Sequence, residues 1–284
     1  MKVKLIADSG STKTDWALVG FSEVTVIQTQ GINPVHQSRE MILRILHDEL
    51  LPQLSNIEVK NVRFYGSGVR PDRESFVESV IRDIFPSASD IEAHSDMVGA
   101  ARALCGRNEG ISCILGTGAN SCLYDGCSIV GNTPAMGYIL GDEGSGAWIG
   151  KRFLHDLYKG ILPKGVLLEF ESETGFTLSD IINKVYREPM ANRFLASLTR
   201  FVHCHRQEDT VKRLLIDGFR DFLNFNISPY QRRDLPVSFV GSIAHYFDSE
   251  LREAADETGF TIGVIEKSPL NGMIKFEKDN LYET

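Results

Sequence analysis

The stretch that decides the fold reads Val3-Lys4-Leu5-Ile6-Ala7-Asp8-Ser9-Gly10-Ser11-Thr12-Lys13-Thr14-Asp15-Trp16-Ala17-Leu18-Val19. Apolar residues 3–7 and 16–19 flank a polar turn, and this pattern predicts a β-hairpin. A third strand fits residues 24–28, and a helix is predicted from about Ser38 to Leu51, after the break at residues 31–34. The chain therefore opens on three strands followed by a helix.

The next segment alternates strands and helices. A strand is predicted at residues 62–65 and a helix near residues 74–84. A further strand ends at Ser95, and a helix of small residues follows from Asp96 to Leu104. We therefore expect residues 1–109 to form an N-terminal α/β lobe.

The same order of elements begins again at Gly110. An apolar strand at residues 110–115 runs into the turn Gly116-Thr117-Gly118-Ala119-Asn120 and a returning strand near residues 121–124. Residues 145–225 are largely helical in pattern, strands recur at 237–240 and 260–264, and Pro269 opens a last helix. These features predict a C-terminal lobe over residues 110–284 with a helical insert, and leave open whether the last helix packs back on the first lobe.

Length and composition narrow the class of protein. The 284 residues and 31.7 kDa suggest about two domains, and the net charge of -8 without a basic cluster argues against nucleic acid as a partner. No apolar run approaches the roughly 18 residues of a membrane span, and residues 1–4 lead directly into a strand. Five cysteines without paired Cys-x-x-Cys spacing indicate thiols in a reducing compartment. We expect a cytoplasmic protein that does not bind membranes.

The first hairpin turn carries candidate phosphate chemistry. Backbone N–H groups and hydroxyls in such a turn can bind phosphate oxygens, and a lysine adds positive charge. Asp8, at the end of a buried strand, is placed to hold Mg²⁺ directly or through water. The alternative is a simple polar hairpin turn. The phosphate-binding candidates are Ser9, Gly10, Ser11, Thr12 and Lys13.

Two further turns have related chemistry. Gly116, Thr117 and Gly118 repeat the phosphate-binding pattern in the second half of the chain. Gly241 and Ser242 follow a predicted strand, and residues this small let a helix N-terminus or a nucleotide base approach closely. Other nucleotide motifs fail. Residues 145–152 lack the first glycine of a P-loop and have Arg152 where Ser or Thr is needed, and residues 66–71 stop at two glycines before a proline.

With these turns in order, the chain resembles the N-acetylglucosamine kinase and BadF-type ATPase family of the actin-like sugar kinase superfamily. The motifs are residues 8–14 (phosphate 1), 116–120 (phosphate 2), 241–244 (adenosine) and the stretch Gly141-Asp142-Glu143-Gly144-Ser145. The resemblance implies an α/β fold of two ribonuclease-H-like lobes with a central nucleotide cleft. It also implies an ATP-dependent kinase that uses Mg²⁺ and phosphorylates a hydroxyl of a small amino sugar, with a homodimer as one possible assembly.

The resemblance also implies roles for individual residues. Asp96 falls where the family has its catalytic aspartate, which orients and deprotonates the sugar hydroxyl. An aspartate at this junction could instead be the N-cap of the following helix. The residues that fall where the family contacts its sugar are Asn33, Ser67, Thr117, Asn120 and Asp142.

One departure bears on the substrate, because Ala135-Met136-Gly137 stands where family members that act on N-acetylglucosamine commonly carry Gly-Trp-Gly. Two alternatives to a sugar kinase remain open. One is an ATPase that activates a partner enzyme and holds an iron–sulfur cluster through cysteines, for which Cys122 and Cys127 are the nearest pair. The other is a sugar or nucleotide sensor without transfer chemistry.

Overall fold

The computed structural model describes residues 2–10, 12–20, 24–54 and 57–279. Within these residues there are ten strands. They are β1 (Lys2–Ser9), β2 (Lys13–Val19), β3 (Val24–Gln30), β4 (Glu58–Gly66), β5 (Asp90–Ser95), β6 (Glu109–Leu115), β7 (Ala119–Asp125), β8 (Ile129–Gly131), β9 (Val237–Val240) and β10 (Ile262–Glu266).

Thirteen α-helices lie in the same described part of the chain, and most of them follow residue 136. They are α1 (Arg39–Ile45), α2 (Pro71–Ile84), α3 (Asp96–Cys105), α4 (Gly137–Leu140), α5 (Gly146–Tyr158), α6 (Lys164–Thr174), α7 (Leu178–Tyr186), α8 (Ala191–Ser197), α9 (Thr199–Cys204), α10 (Asp209–Phe222), α11 (Ser242–Tyr246), α12 (Asp248–Thr258) and α13 (Leu270–Asp279). Short π and 3₁₀ turns extend α1 to Leu54 and α10 to Tyr230.

The chain divides into two compact units. The first takes in residues up to Arg107 together with the C-terminal helix from Pro269, and the second runs from Asn108 to Ser268. The sequence pattern predicts a boundary between residues 109 and 110 and leaves open whether the last helix packs back on the first unit. In the structure α13 packs against α3 and β1 of the first unit, because Met273 and Ile274 are buried in a cluster with Ile6.

Each unit contains a five-stranded mixed sheet. In the first unit the order is β3-β2-β1-β4-β5, with β1 to β3 antiparallel and β1, β4 and β5 parallel. The second sheet has the order β8-β7-β6-β9-β10 with the corresponding orientations. The predicted α/β fold of two ribonuclease-H-like units is confirmed, although the pattern of apolar residues missed β8 and α4.

Burial on both faces explains why β1 is almost continuously apolar. Leu5 and Ala7 belong to a buried cluster with Trp16 on one face, whereas Ile6 belongs to a second cluster with Tyr65 on the other. Strands covered on both faces have no solvent side that would favour alternating polar residues. The strand that leads to Asp8 and Ser9 is therefore packed on both faces.

The carboxyl ends of the parallel strands position the candidate site residues. In the first unit β1 ends at Ser9, β4 at Gly66 and β5 at Ser95, and in the second β6 ends at Leu115 and β9 at Val240. Because parallel strands end at the same edge of their sheet, the segments that follow them are gathered there. In open α/β sheets this edge is where ligands bind.

Candidate active site

Ser9 ends β1 with a buried hydroxyl whose partners are all within the first unit. Its Oγ donates to the carbonyl oxygen of Ile32 (3.0 Å), accepts from the backbone N–H of Ile32 (3.1 Å) and lies 2.7 Å from Thr14 Oγ1. The Ser9 hydroxyl therefore anchors the segment before Asn33.

The turn after Ser9 is closed by its backbone. The N–H of Gly10 donates to the carbonyl oxygen of Lys13 (3.0 Å), and the carbonyl oxygen of Thr12 accepts from Gly31 (3.1 Å). Gly10, Thr12 and Lys13 are exposed. Ser11, also predicted to bind phosphate, lies outside the described residues. The structure therefore brings together three of the predicted phosphate-1 residues on the surface of this turn.

Asp15 is a site candidate that the sequence interpretation missed. It lies directly opposite Asp8 in the antiparallel β1–β2 pair, so the two carboxylates are on the same face of the sheet. Lys13 Nζ is 2.7 Å from Asp15 Oδ2, and Gln28 Nε2 donates to Asp15 Oδ1 at 2.7 Å. The position of Asp15 in the returning strand of the predicted hairpin was the available signal, but it identifies Asp15 only once the strand register is known.

The Asp8 and Asp15 carboxylates fit a Mg²⁺ site in which a phosphate ligand supplies part of the coordination shell. Mg²⁺ usually takes one or two protein carboxylates, with substrate phosphates and water completing its octahedron. Asp8 is partly buried at the end of β1 and is the candidate metal ligand, and Lys13 offsets the charge of the neighbouring Asp15. Among the residues that the structure describes, no group of three His, Cys, Asp or Glu side chains could hold a metal by itself.

Asn33 and Ser67, two predicted sugar contacts, lie together in the first unit. Asn33 Nδ2 is 3.5 Å from Ser67 Oγ, and Asn33 Oδ1 accepts from the N–H of Val35 (3.0 Å). Gly68 has a φ of +80°, and a Cβ there would overlap the Asn33 carboxamide. Glycine at position 68 thus allows the close approach of the two segments.

Asp96 is the first residue of α3 and follows β5 directly. The helix N-cap is Ser95, whose Oγ accepts from the N–H of Val98 at 3.3 Å, so Asp96 is not itself the N-cap residue. Burial raises the pKa of the Asp96 carboxyl, and hydrogen bonds from the N–H groups of Met97 and Asp96 oppose that rise. A carboxylate with a raised pKa accepts a proton more readily near neutral pH, as a general base must.

The second phosphate turn is fixed by its own backbone and by α5. The N–H of Gly116 donates to the carbonyl oxygen of Gly118 (2.9 Å). The first two N–H groups of α5, from Gly146 and Ala147, donate to the carbonyl oxygens of Gly116 (2.8 Å) and Thr117 (3.0 Å). The Thr117 side chain is exposed. The turn is therefore held through its carbonyl groups, and the Thr117 hydroxyl is on the surface.

Asp142 lies against this turn. Its φ is +54°, its carboxylate accepts a hydrogen bond from the N–H of Ala119, and a Cβ at Gly118 would be 3.0 Å from its Oδ2. Burial raises the pKa of Asp142 to about 6, and the negative charge of Glu143 adds to this rise. The hydrogen bond from Ala119 and the positive charge of Lys151 oppose it. A left-handed conformation in a non-glycine residue is uncommon and often marks a functional site.

The Asn120 side chain, a further predicted sugar contact, is oriented within the second unit. Its Oδ1 accepts from the N–H of Ser121 (2.9 Å) and from Asn132 Nδ2 (3.1 Å). Since the carboxamide oxygen is occupied, its NH₂ group is the part suited to a ligand. Asn120 is therefore placed as a donor.

Gly241 and Ser242 join β9 to α11. Gly241 has a φ of +121°, and a Cβ there would overlap the carbonyl oxygen of Leu115 in β6. Its N–H donates to the carbonyl oxygen of Glu266 at 3.0 Å, and Ser242 is exposed. Glycine is required here because the backbone of the predicted adenosine segment passes so close to β6.

The cysteines do not form a cluster-binding group in the structure. All five lie within the described residues and none is in a disulfide, as the sequence predicted. Cys122 is buried in β7, whereas Cys127 is exposed in the turn before β8. The two residues therefore differ in burial within the described part of the chain. In that part of the chain no helix is both long and apolar enough to cross a membrane.

The chain has relatives among known proteins. No family model matches it. A candidate N-acetylglucosamine kinase of Porphyromonas gingivalis has a solved structure that is 44% identical, covers 98% of this chain and 99% of its own, and superimposes with a TM-score of 0.93. A second candidate N-acetylglucosamine kinase, from Chromobacterium violaceum, shares the fold with a TM-score of 0.73 at 17% identity, with 97% and 99% of the two chains covered.

A curated relative agrees with these structures. The N-acetylmuramic acid/N-acetylglucosamine kinase of Clostridium acetobutylicum is 25% identical over 236 residues, which cover 78% of this chain and 77% of that protein. The Porphyromonas protein is similar over almost its whole length. Its sequence identity of 44% is well above the 17% of the Chromobacterium protein, with which the chain shares the fold. The chain therefore belongs to the N-acetylglucosamine kinase family.

Proposed function

We propose that the protein transfers the γ-phosphoryl group of ATP to a hydroxyl of N-acetylglucosamine or a related hexosamine. The observation that carries the proposal is 44% identity to a candidate N-acetylglucosamine kinase over 98% of the chain. The kinase from Clostridium, whose name includes N-acetylmuramic acid, supports the same class of substrate. A cytoplasmic location is part of the proposal, and five cysteines without a disulfide support it.

The proposed base is Asp96. Its carboxylate accepts the proton of the sugar hydroxyl while that oxygen bonds to the γ-phosphorus, and the bond to the bridging oxygen breaks so that ADP leaves. Phosphoryl transfer depends mainly on positioning and on charge stabilisation, so one well-placed proton acceptor is sufficient. The raised pKa of Asp96 supports this assignment.

The proposed phosphate contacts lie on two turns, one in each unit. Gly10, Thr12 and Lys13 present exposed groups after β1, and Gly116, Thr117 and Gly118 follow β6. Asp8 is the proposed Mg²⁺ ligand, and the cation would neutralise charge on the phosphates when bound. Gly241 and Ser242 are proposed to contact the adenosine.

The proposed sugar contacts have complementary hydrogen-bonding properties. Asn33 and Ser67 are neighbours, Asn120 is oriented as a donor, and Asp142 is an acceptor. Thr117 is exposed and directly precedes Gly118, which packs against Asp142. Donors and acceptors together suit a sugar that presents both hydroxyls and an acetamide group.

A sugar panel tests the proposal. The purified protein is given ATP and Mg²⁺ with N-acetylglucosamine, N-acetylmuramic acid, N-acetylmannosamine, glucosamine or glucose, and ADP release is measured with the mass of the product. We expect a product one phosphoryl group heavier, with N-acetylglucosamine or N-acetylmuramic acid among the best substrates. ADP release at the same rate without any sugar would support the ATPase alternative, and ligand binding without turnover would support the sensor. Light scattering of the same sample distinguishes monomer from homodimer.

A further inference from the structure

Asp142, which lies just before α5, is connected to the phosphate-2 turn more than 20 residues earlier in the sequence. Its carboxylate accepts the N–H of Ala119, which begins β7 immediately after the phosphate-2 turn. The same carboxylate lies so near Gly118 that a Cβ on that residue would be 3.0 Å from Oδ2. The Asp142 side chain therefore packs tightly against the end of the phosphate-2 turn.

The backbone on both sides of Asp142 is fixed. Its N–H donates to the carbonyl oxygen of Ala135 (3.0 Å), and its carbonyl oxygen accepts from the N–H of Ser145 (3.0 Å). These bonds hold Asp142 in its left-handed conformation. Its carboxylate can therefore move little without displacing the Gly118–Ala119 backbone.

The turn has two separate attachments. The N–H groups at the start of α5 hold the carbonyl oxygens of Gly116 and Thr117, whereas Asp142 holds the N–H of Ala119. A hydrogen bond to an ionised carboxylate is stronger than one between neutral groups. Only the second of these two attachments is made by a side chain. A ligand that contacts the Asp142 carboxylate could therefore alter the position of the phosphate-2 turn.

We propose that Asp142 is a positioning residue that couples the two substrates, because one carboxylate both contacts the sugar and holds the phosphate-2 turn in place. The inference rests on the proposed function. A carboxylate has about four acceptor positions, so the Ala119 N–H leaves room for sugar hydroxyls. Because the carboxylate moves little without displacing the turn, a sugar that holds the carboxylate also holds the turn, and by thermodynamic reciprocity each ligand raises the affinity for the other by the same factor.

Calorimetry on the full chain measures this factor. The dissociation constant of a non-hydrolysable ATP analogue with Mg²⁺ is determined with and without saturating N-acetylglucosamine, and the ratio is the coupling factor. We expect a factor of about fivefold or more in the wild type. In Asp142→Ala it should fall to about 1, with weaker analogue binding even in the absence of sugar, since the turn has lost its attachment.

Two variants separate positioning from simple loss of a sugar contact. Asp142→Asn keeps an oxygen that can accept the Ala119 N–H, so it should restore analogue binding without sugar while sugar binding stays weak. Gly118→Ala removes no polar group, yet its methyl displaces the Asp142 carboxylate, so it should lower the coupling factor. The matched control is Asp125→Asn, because the exposed Asp125 carboxylate also accepts backbone N–H groups, from Cys127 and Ser128, but in a surface turn. The control should leave the factor unchanged.

The outcomes are distinct. Sugar phosphorylation with a coupling factor near 1 in the wild type overturns the coupling and leaves the proposed function standing. A factor in Asp142→Ala or Gly118→Ala within about twofold of the wild type overturns the proposal as well. If Asp142→Ala is unfolded by circular dichroism, Gly118→Ala and Asp142→Asn decide the question. Failure of every sugar in the panel defeats the proposed function and the coupling together.

Discussion

Lys4 in the first strand and Glu277 in the last helix form a buried ion pair in which Nζ and Oε2 are 2.8 Å apart. Tyr65 donates its hydroxyl to Glu277 Oε1 (2.9 Å) and accepts from Arg102 Nη1 of α3 (2.9 Å). These bonds connect α13 to β1, to β4 and to the helix that begins at Asp96. The C-terminal helix is therefore an integral part of the first unit.

Replacing Glu277 should destabilise the first unit strongly. In Glu277→Ala, the buried Lys4 loses its carboxylate partner and keeps the main-chain oxygen of residue 277 (3.4 Å), and a broken buried pair costs about 3–5 kcal/mol. The midpoint of urea unfolding, followed by circular dichroism, measures this loss. Lys275→Ala on the exposed side of α13 is the control and should change stability by less than about 0.5 kcal/mol. Equal midpoints for the two variants would contradict a structural role for the pair.

Asp96→Asn should abolish most of the sugar phosphorylation and leave nucleotide binding intact. The amide keeps the shape of the side chain but cannot accept the hydroxyl proton, so we expect kcat to fall about 10²- to 10⁴-fold. Steady-state kinetics and calorimetry with an ATP analogue separate the two effects. Ser95→Ala removes the α3 cap, which should cost about 1 kcal/mol of stability with a much smaller loss of kcat. Turnover near the wild-type rate in Asp96→Asn excludes Asp96 as the base.

The titration of Asp142 should appear in stability as a function of pH. Its pKa is raised to about 6, whereas an aspartate in an unfolded chain titrates near 4. Between about pH 4 and 6 the native state therefore binds more protons than the unfolded state, so stability falls as the pH rises through this window.

Asp142→Asn removes this titration, and asparagine tolerates the left-handed conformation. We expect the variant to be more stable than the wild type at pH 8, by a margin that shrinks toward pH 5. Thermal unfolding at several pH values checks this, and a margin independent of pH would argue against a raised pKa. In the wild type the KM for the sugar should rise below about pH 6, since the protonated carboxyl is a weaker acceptor.

Two glycines at the proposed nucleotide contacts should respond differently to alanine. Gly116 has no neighbour within 4 Å of an added Cβ, so Gly116→Ala should keep its stability but raise the KM for ATP roughly tenfold. Gly241→Ala should lose about 2 kcal/mol or more, because its φ is unfavourable and the methyl overlaps β6. Melting temperatures and ATP kinetics on both variants test the contrast. A stable Gly241→Ala variant would be inconsistent with the described backbone.

Asp8→Ala should weaken the response to Mg²⁺. Loss of the proposed ligand should move the Mg²⁺ titration of activity to a concentration roughly tenfold higher or more. The control is Asp72→Ala, an exposed carboxylate at the start of α2 in the same unit. An Mg²⁺ titration identical to that of the control would remove Asp8 from the metal site.

The local pattern of residues was sufficient to predict the architecture of this chain. Apolar runs, glycine-rich turns and a proline at a helix start are short-range signals, so the paired strands near residues 3–19 and 110–124 could be predicted directly. The motif residues also identified the family. The pattern failed for β8, a three-residue strand, and for α4, a four-residue helix in which Ile139 and Leu140 are exposed. Such short elements have too few residues to show a period.

Contacts distant in sequence were decided by the tertiary structure alone. Asp15 lies beside Asp8 because of strand register, Asp142 reaches Gly118 through the packing of α5 on the phosphate turn, and Glu277 meets Lys4 because α13 returns to the first unit. The sequence predicts Ser9 as a phosphate ligand but does not reveal the contacts of its hydroxyl with Ile32 and Thr14. Register, strand order and burial arise only when the whole chain packs, so no local spacing encodes them.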